Sequence, residues 1–350
     1  MRTLAVVIPC YRQERFLPRT LAALRHSPAG WRLEGALVMA APANLDASRV
    51  AQELARDPAW HVLEPGREAG ANAMAPLTPG AARMAGLAAC AGDWVLFVDA
   101  DVEVEAAWLA RALERIEADT LTSGPGATAD LRAPRIAGLW GRIEEWFIEE
   151  GRERPGSSDL YHVGEVEHAV DYVATLALYR RAALLEAGGY DARLRSEEDF
   201  ELGMRLRARG WELRSLGLRA ARHWSAPRPS FHELSRRWQS GLCFGQGQVL
   251  RLYLGRPGFG VLLRRQSLYL STLALWALGL AALAWALARA TAVPLVAWLL
   301  LPAALLLAMT IRKRSARLAS HSLLTWTLNG LGLVVGWFRV DPRARREAAC

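Results

Sequence analysis

At 350 residues the chain is too long for one ordinary domain and short for three. Its charge of +8 is unevenly placed: residues 251–350 hold 13 Lys and Arg against two acids, Asp341 and Glu347, a net +11 that leaves −3 for the first 250. A basic, apolar tail points to a membrane surface and away from nucleic acid, and four scattered cysteines with no CxxC pair argue for a reducing compartment and against a structural zinc.

The N-terminus runs directly into an apolar stretch, Leu4–Ile8, that stops at Pro9. It reads as a buried parallel strand, with no signal peptide before it and a cytoplasmic location for the front of the chain. Leu17, Leu21 and Leu24 then recur at helical spacing. Gly35–Ala40 reads as a second strand, "SRVAQELARD" as a helix, Trp60–Leu63 as a third strand, and "GAARMAGLAACAG" as a small-residue helix leading to the strand Trp94–Val98. Strands alternating with helices predict an α/β fold with an open, mostly parallel sheet, whose ligands lie beyond the carboxyl ends of the strands.

Farther on, "GLWGRIEEWFIEE" reads as an amphipathic helix and residues 150–165 as a mobile loop. "DYVATLALYRRAALLEAGGYD" supplies another strand and helix, and "SEEDFELGMRLRARGW" a helix closed by Gly210. "HELSRRWQSGLCFGQGQVLRLY" reads as an interfacial helix, with Arg toward lipid phosphates and Trp at the headgroups. The division falls near residue 245: an α/β domain over 1–245 and a membrane domain over 246–350. Residues 268–288 are uncharged and span about 31 Å as a helix. Residues 290–311 form a second uncharged run, and "RKRSAR" after it belongs on the cytoplasmic side. The third run, about 318–338, contains His321, Asn329 and three glycines. Crossing there would carry a basic terminus outward, so an interfacial or re-entrant helix is expected.

The stretch "WVLFVDADVE" ends a buried strand on two acids, Asp99 and Asp101, one residue apart. Paired carboxylates at a strand tip suit Mg²⁺ or Mn²⁺, which prefers oxygen ligands and leaves positions open for water and phosphate. Capping of the helix around "EAAWLARALERI" is the plainer alternative. Glu197, Glu198 and Asp199 open a helix; Ser196 with Asp199 has capping-box spacing, and beside a metal–diphosphate site a carboxylate there would serve as a general base.

Three stretches in order, "VVIPCYRQERFLPRTLAAL", "PGAARMAGLAACAGDWVLFVDADVE" and "GGYDARLRSEEDFELGMRLRARGW", resemble the signatures of family 2 glycosyltransferases over roughly residues 4–245. The tail resembles that of the membrane-bound members that build exopolysaccharides or glycolipids. The resemblance implies a GT-A fold and an inverting transfer from a nucleotide-diphosphate sugar to a lipid-linked or saccharide acceptor at the inner (plasma) membrane. It places Asp101 on the metal and Asp99 near the ribose or the metal's shell. Asp199 becomes the base, with Glu198 placing the acceptor or the base. Arg83, Pro9 and Tyr11 become nucleotide contacts, His223 a reach to metal or diphosphate, and Arg237 a grip on the diphosphate. Arg83 as a surface helix residue, His223 as a structural residue and Pro9 as ordinary turn chemistry stay open. Leu234 replaces the Gln of the processive members' motif, which argues against processive synthesis.

One departure is "VMAAPANLD", with Ala40 and Ala41 where the family has an acid after the second strand; Asn44 and Asp46 are out of register. Two rival readings follow. A membrane nucleotidyltransferase would need a glycine- and arginine-rich phosphate loop, and "PCYRQERFLP" lacks glycine. A degenerate membrane scaffold or sugar-nucleotide sensor fits the missing acid but not the intact Asp99, Asp101 and Asp199. "GPGATAD" lacks the third glycine of a dinucleotide loop. His162, Glu165, Glu167 and His168 are a weak metal cluster, better read as acceptor contacts.

Overall fold

The computed structural model describes residues 2–25, 30–40, 45–64, 77–123, 135–225 and 230–342, with the side chains of 45–48 and 120–123 outside the description. The chain forms two compact units. The first comprises residues 1–193, 198–227 and 345–350; the second, residues 194–197 and 228–344.

The first unit begins β1 (Arg2–Cys10), α1 (Leu17–Ala23), β2 (Trp31–Met39), α2 (Leu45–Leu54), β3 (Trp60–Leu63), α3 (Pro79–Ala89) and β4 (Trp94–Val98). It continues with β5 (Val102–Val104), α4 (Ala106–Ser123), β6 (Arg135–Glu149), β7 (Arg152–Pro155), β8 (His168–Val170), β9 (Leu176–Arg180), α5 (Arg181–Ala187), α6 (Glu198–Ala208) and β10 (Trp211–Ser225). One sheet carries the order β3-β2-β1-β4-β9-β6-β10-β5, with β7 beside β6 and β8 beside β10. The first four strands are parallel, but β9 runs antiparallel to both β4 and β6, so the sheet is mixed.

Successive strand residues serve opposite layers. Leu4, Val6 and Ile8 of β1 face a core with Trp108, Leu113 and Ile116 of α4; Ala5 and Val7 face one with Leu184, Leu202 and Leu206. Both faces are covered, which is why β4 is an unbroken apolar run, all five residues buried. Helix α3 sits close to β1 because its residues are small. A Cβ on Gly86 would stand 2.3 Å from Val7 Cγ1. That approach brings Arg83, one turn earlier on α3, into the interior.

Residues 138–149 are strand, not helix. Trp140 (with Nε1 donating to the Ala174 carbonyl), Ile143 and Trp146 lie on β6, which lies between β9 and β10. Nor are residues 150–165 a loop throughout. They contain β7, and beyond it Leu160 N donates to Ile143 O while Asp159 Oδ2 accepts from Gly164 N.

The second unit contains α7 (Phe231–Gln239), α8 (Gly245–Tyr253), α9 (Phe259–Arg265), α10 (Ser267–Ala288), α11 (Val293–Lys313) and α12 (Ala316–Arg339). Residues 232–253 are thus two helices; the chain turns at Gly241, whose φ is +79°. Helices α10, α11 and α12 are each long and apolar enough to cross a membrane. α12 is one continuous helix, and glycine makes its seam with α8. Cβ atoms on Gly332 and Gly336 would lie 2.3 and 1.9 Å from the Cys243 and Phe244 carbonyl oxygens.

Candidate active site

Strand β4 delivers Asp99 to the sheet's carboxyl edge, where Asp99 N donates to Thr175 O at 3.1 Å and Val102 N donates to Asp99 O at 3.1 Å. The resulting turn carries Asp101 into the interior. β10 completes the turn: Trp224 N donates to Asp101 O at 2.9 Å, and His223 faces Val102 across the antiparallel pair. His223 Nε2 lies 3.4 Å from Asp101 Oδ2, and its Nδ1 is 3.0 Å from Ser225 Oγ. Burial would lower the imidazole's pKa, but the charge and hydrogen bond of Asp101 outweigh it and the net shift is upward. Gln13 Nε2 also donates to Asp101 Oδ2. The other oxygen, Asp101 Oδ1, is buried without a hydrogen-bond partner among the described residues.

Arg83 gathers the acids. Its guanidinium donates to Glu198 Oε1 at 2.8 Å and to Asp99 Oδ1 at 3.0 Å, and lies 3.5 Å from Asp199 Oδ1. It also stacks over the Tyr190 ring at 5.2 Å. Burial alone would depress this guanidinium, but Asp199, Asp99 and Glu198 hold it well above its ordinary value. Arg83 is therefore a buried ion-pair hub rather than a surface helix residue.

Glu198 and Asp199 open α6, where the helix dipole favours acids. Capping does not account for them. The helix begins at Glu198, one residue too late for Ser196 to be its N-cap, and the Ser196 hydroxyl donates to the Leu242 carbonyl. Burial pushes the Asp199 carboxyl up to about 8; Glu198 and Asp99 add to the rise, and Arg83 opposes it. Burial likewise raises Asp99, against the pull of Arg83. Asp99 and Asp199 keep 27% and 18% of their side chains exposed, so a ligand can reach both.

The structure thus brings Arg83, Asp99, Asp101, His223, Glu198 and Asp199 together in the first unit. Pro9 lies inside β1 rather than in the turn, and Tyr11 follows the strand with Arg12 over its ring. Arg237 belongs to the second unit, on α7, beside the buried Cys243 thiol. Ala40 is buried, its N–H and carbonyl bonded to Cys10 O and Leu77 N; Ala41, Asn44 and residues 124–130 lie outside the described residues, as does the Asp46 side chain. The His162–His168 stretch is bound elsewhere: Glu165 pairs with Arg142, and Glu167 with Arg214 and Arg115.

Sequence reasoning missed Gln13, Thr175 and Tyr190. Gln13 had a signal, a polar residue in the first strand–helix turn, on the edge where such sheets bind ligands. Thr175 had none; its φ of +67° appears only in the fold, and its hydroxyl lies 2.5 Å from that of Tyr161.

The donor set suits a hard divalent cation. Asp101 offers an orphaned buried oxygen, with the His223 imidazole beside it and Asp99 two residues earlier in the chain. Among the described residues no three His, Cys, Asp or Glu side chains converge on one ion, so the protein would supply a minority of the shell.

The glycosyl transferase family 2 model matches residues 75–187. An uncharacterized glycosyltransferase of Mycobacterium tuberculosis is 30% identical over 210 residues, covering 59% of this chain and 80% of that protein. The pre-mycofactocin glycosyltransferase of the same species is 33% identical over 147 residues, 39% of this chain; the chain spans only 28% of that relative's length. Among solved structures, the mannosyltransferase PcManGT from Pyrobaculum calidifontis, in complex with GDP-Man and Mn²⁺, superposes with a TM-score of 0.54 at 18% identity, over 94% of this chain and 86% of that one. That likeness shows the GT-A fold. With most of a 30%-identical glycosyltransferase covered and the family's own model matched across α3, β4 and β9, the chain belongs to glycosyltransferase family 2.

Proposed function

We propose that this protein is an inverting, metal-dependent glycosyltransferase. It moves a sugar from a nucleotide-diphosphate donor to a lipid-linked or polysaccharide acceptor, with its catalytic domain on the cytoplasmic face of the plasma membrane. The supporting observation is the hub at Arg83, which ties a strand-tip acid, Asp99, to the acids that open α6. Asp199 is the base. With its carboxyl raised toward 8, it is basic enough to take a proton from an acceptor hydroxyl and is ionised in part at neutral pH. Glu198 is the more buried and stays locked to Arg83, so it orients the guanidinium against which Asp199 works. Asp101 and His223 would hold the cation, with Asp99 at its edge. When bound, Mg²⁺ or Mn²⁺ supplies Lewis acidity for the leaving diphosphate. Gln13 orients Asp101 from the opposite side. Inversion follows from a single displacement in which Asp199 activates the acceptor and no side chain bonds the sugar. The three membrane-length helices and the basic run Arg312–Arg317 support the location and favour a lipid-borne acceptor.

The test is donor hydrolysis and transfer by the full chain in lipid, across UDP-, GDP- and dTDP-sugars, with Mn²⁺ or with EDTA. GDP-Man with Mn²⁺ is the first combination to try, since the mannosyltransferase of the same fold carries both. Metal-dependent release from one donor, lost in Asp199→Asn, is the expected result. Tight nucleotide binding without release would favour a sugar-nucleotide sensor, a reading that Ala40 supports by standing where the family has an acid.

A further inference from the structure

The run Glu197–Glu198–Asp199 is divided. Residues 194–197 belong to the second unit, and the chain enters the first at Glu198. Inside the second unit these four residues are held at three points. Arg195 N donates to Gln248 Oε1 at 2.9 Å, the Ser196 hydroxyl to Leu242 O at 2.8 Å, and Arg265 Nε to Glu197 Oε2 at 2.8 Å. Gly245 leaves no slack, since a Cβ there would stand 2.1 Å from Ser196 Oγ.

Glu197 has a φ of +68°, a conformation that favours glycine and strains any other residue. The Glu197 carboxylate is paired with Arg265. The pair keeps 33% and 16% of its side chains exposed, so it adds little to stability. Its effect is conformational. The backbone angle at residue 197 sets the direction in which the chain enters α6 and so bears on Glu198 and Asp199, which Arg83 holds within the first unit. Arg265 ends α9, and α10, the first membrane-length helix, starts two residues later.

We propose that Glu197 is a positioning residue for sugar transfer: its ion pair with Arg265 holds the strained backbone at residue 197 and so aims the Glu198 and Asp199 carboxylates. The proposal rests on Asp199 being the base. It separates stability from activity, because Glu197→Gly removes the ion pair while supplying the residue that the backbone angle prefers.

The test uses the full chain in lipid nanodiscs, comparing wild type with Glu197→Gly, Arg265→Gln, the double reversal Glu197→Arg with Arg265→Glu, and Asp199→Asn. The expected result for Glu197→Gly is an unchanged or raised Tm, kcat lower by about 10- to 100-fold and donor KM within about twofold. The double reversal should recover part of the loss. Amides of Leu202–Arg205, which close the first turn of α6, should exchange faster in Arg265→Gln. If Glu197→Gly keeps wild-type kcat while Asp199→Asn is dead, Glu197 does not position the base. A fall in Tm that tracks kcat would make the pair merely structural and overturn the proposal. If Asp199→Asn still transfers sugar, the base assignment fails instead, and unchanged exchange in Arg265→Gln would then reject the positioning role separately.

Discussion

Arg83 decides the electrostatics of the site, because three clustered carboxylates without it would repel one another. Removing one partner from a buried ion cluster costs about 3–5 kcal/mol, so Arg83→Gln should lower Tm markedly. It should also move the pH profile. As the proposed base, Asp199 would work only when ionised, so transfer should rise with pH through about 8 and fall away in acid. Arg83 opposes that upward shift, and its loss should carry the rising limb to higher pH. A wild-type profile already flat at pH 6 would remove Asp199 from the role. Asp101 makes a separate prediction. Asp101→Asn would halve the carboxylate charge at the proposed cation site and should weaken Mn²⁺ binding, measured calorimetrically with nucleoside diphosphate present, by about 10-fold or more.

At the scale of elements, close backbone approach recurs where helices meet. The seam between α8 and α12 is made of Gly247, Gly332 and Gly336, and a Cβ at Gly336 would lie 1.9 Å from the Phe244 carbonyl. Gly336→Ala should therefore cost about 1–3 kcal/mol and lower the unfolding temperature in detergent. Gly260→Ala, where a Cβ meets open space, is the control and should leave it unchanged. Equal melting of the two variants would mean that the seam is looser than described. The same scale explains why β6 reads as a helix from sequence. Trp140, Ile143 and Phe147 recur at helix-like spacing, and the first half of the strand is buried on both faces, so no polar alternation betrays it. The interior position between β9 and β10 decides it.

For the whole molecule, the question is which side of a bilayer each connection faces. In the proposed orientation the basic run at 312–317 keeps the end of α11 in the cytoplasm, and the short connection between α10 and α11 lies on the other side. Thr291→Cys should then react with a membrane-impermeant maleimide added to intact cells, and Ser315→Cys only after lysis. The opposite pattern would invert the topology and with it the cytoplasmic donor.

The local chemistry of this chain determined by itself the strand-tip acids Asp99 and Asp101, the acid run that opens α6 and the tail of membrane-length helices. Each is carried by neighbours in sequence: an apolar run that stops on charge, or an uncharged stretch of spanning length. Only the tertiary structure decided that Arg83 joins Asp99 to Glu198 and Asp199, that Gln13 and His223 flank Asp101, and that Arg237 lies in the other unit. Those partners lie between 16 and 122 residues apart in the chain, and no periodicity or spacing encodes which charge will find which.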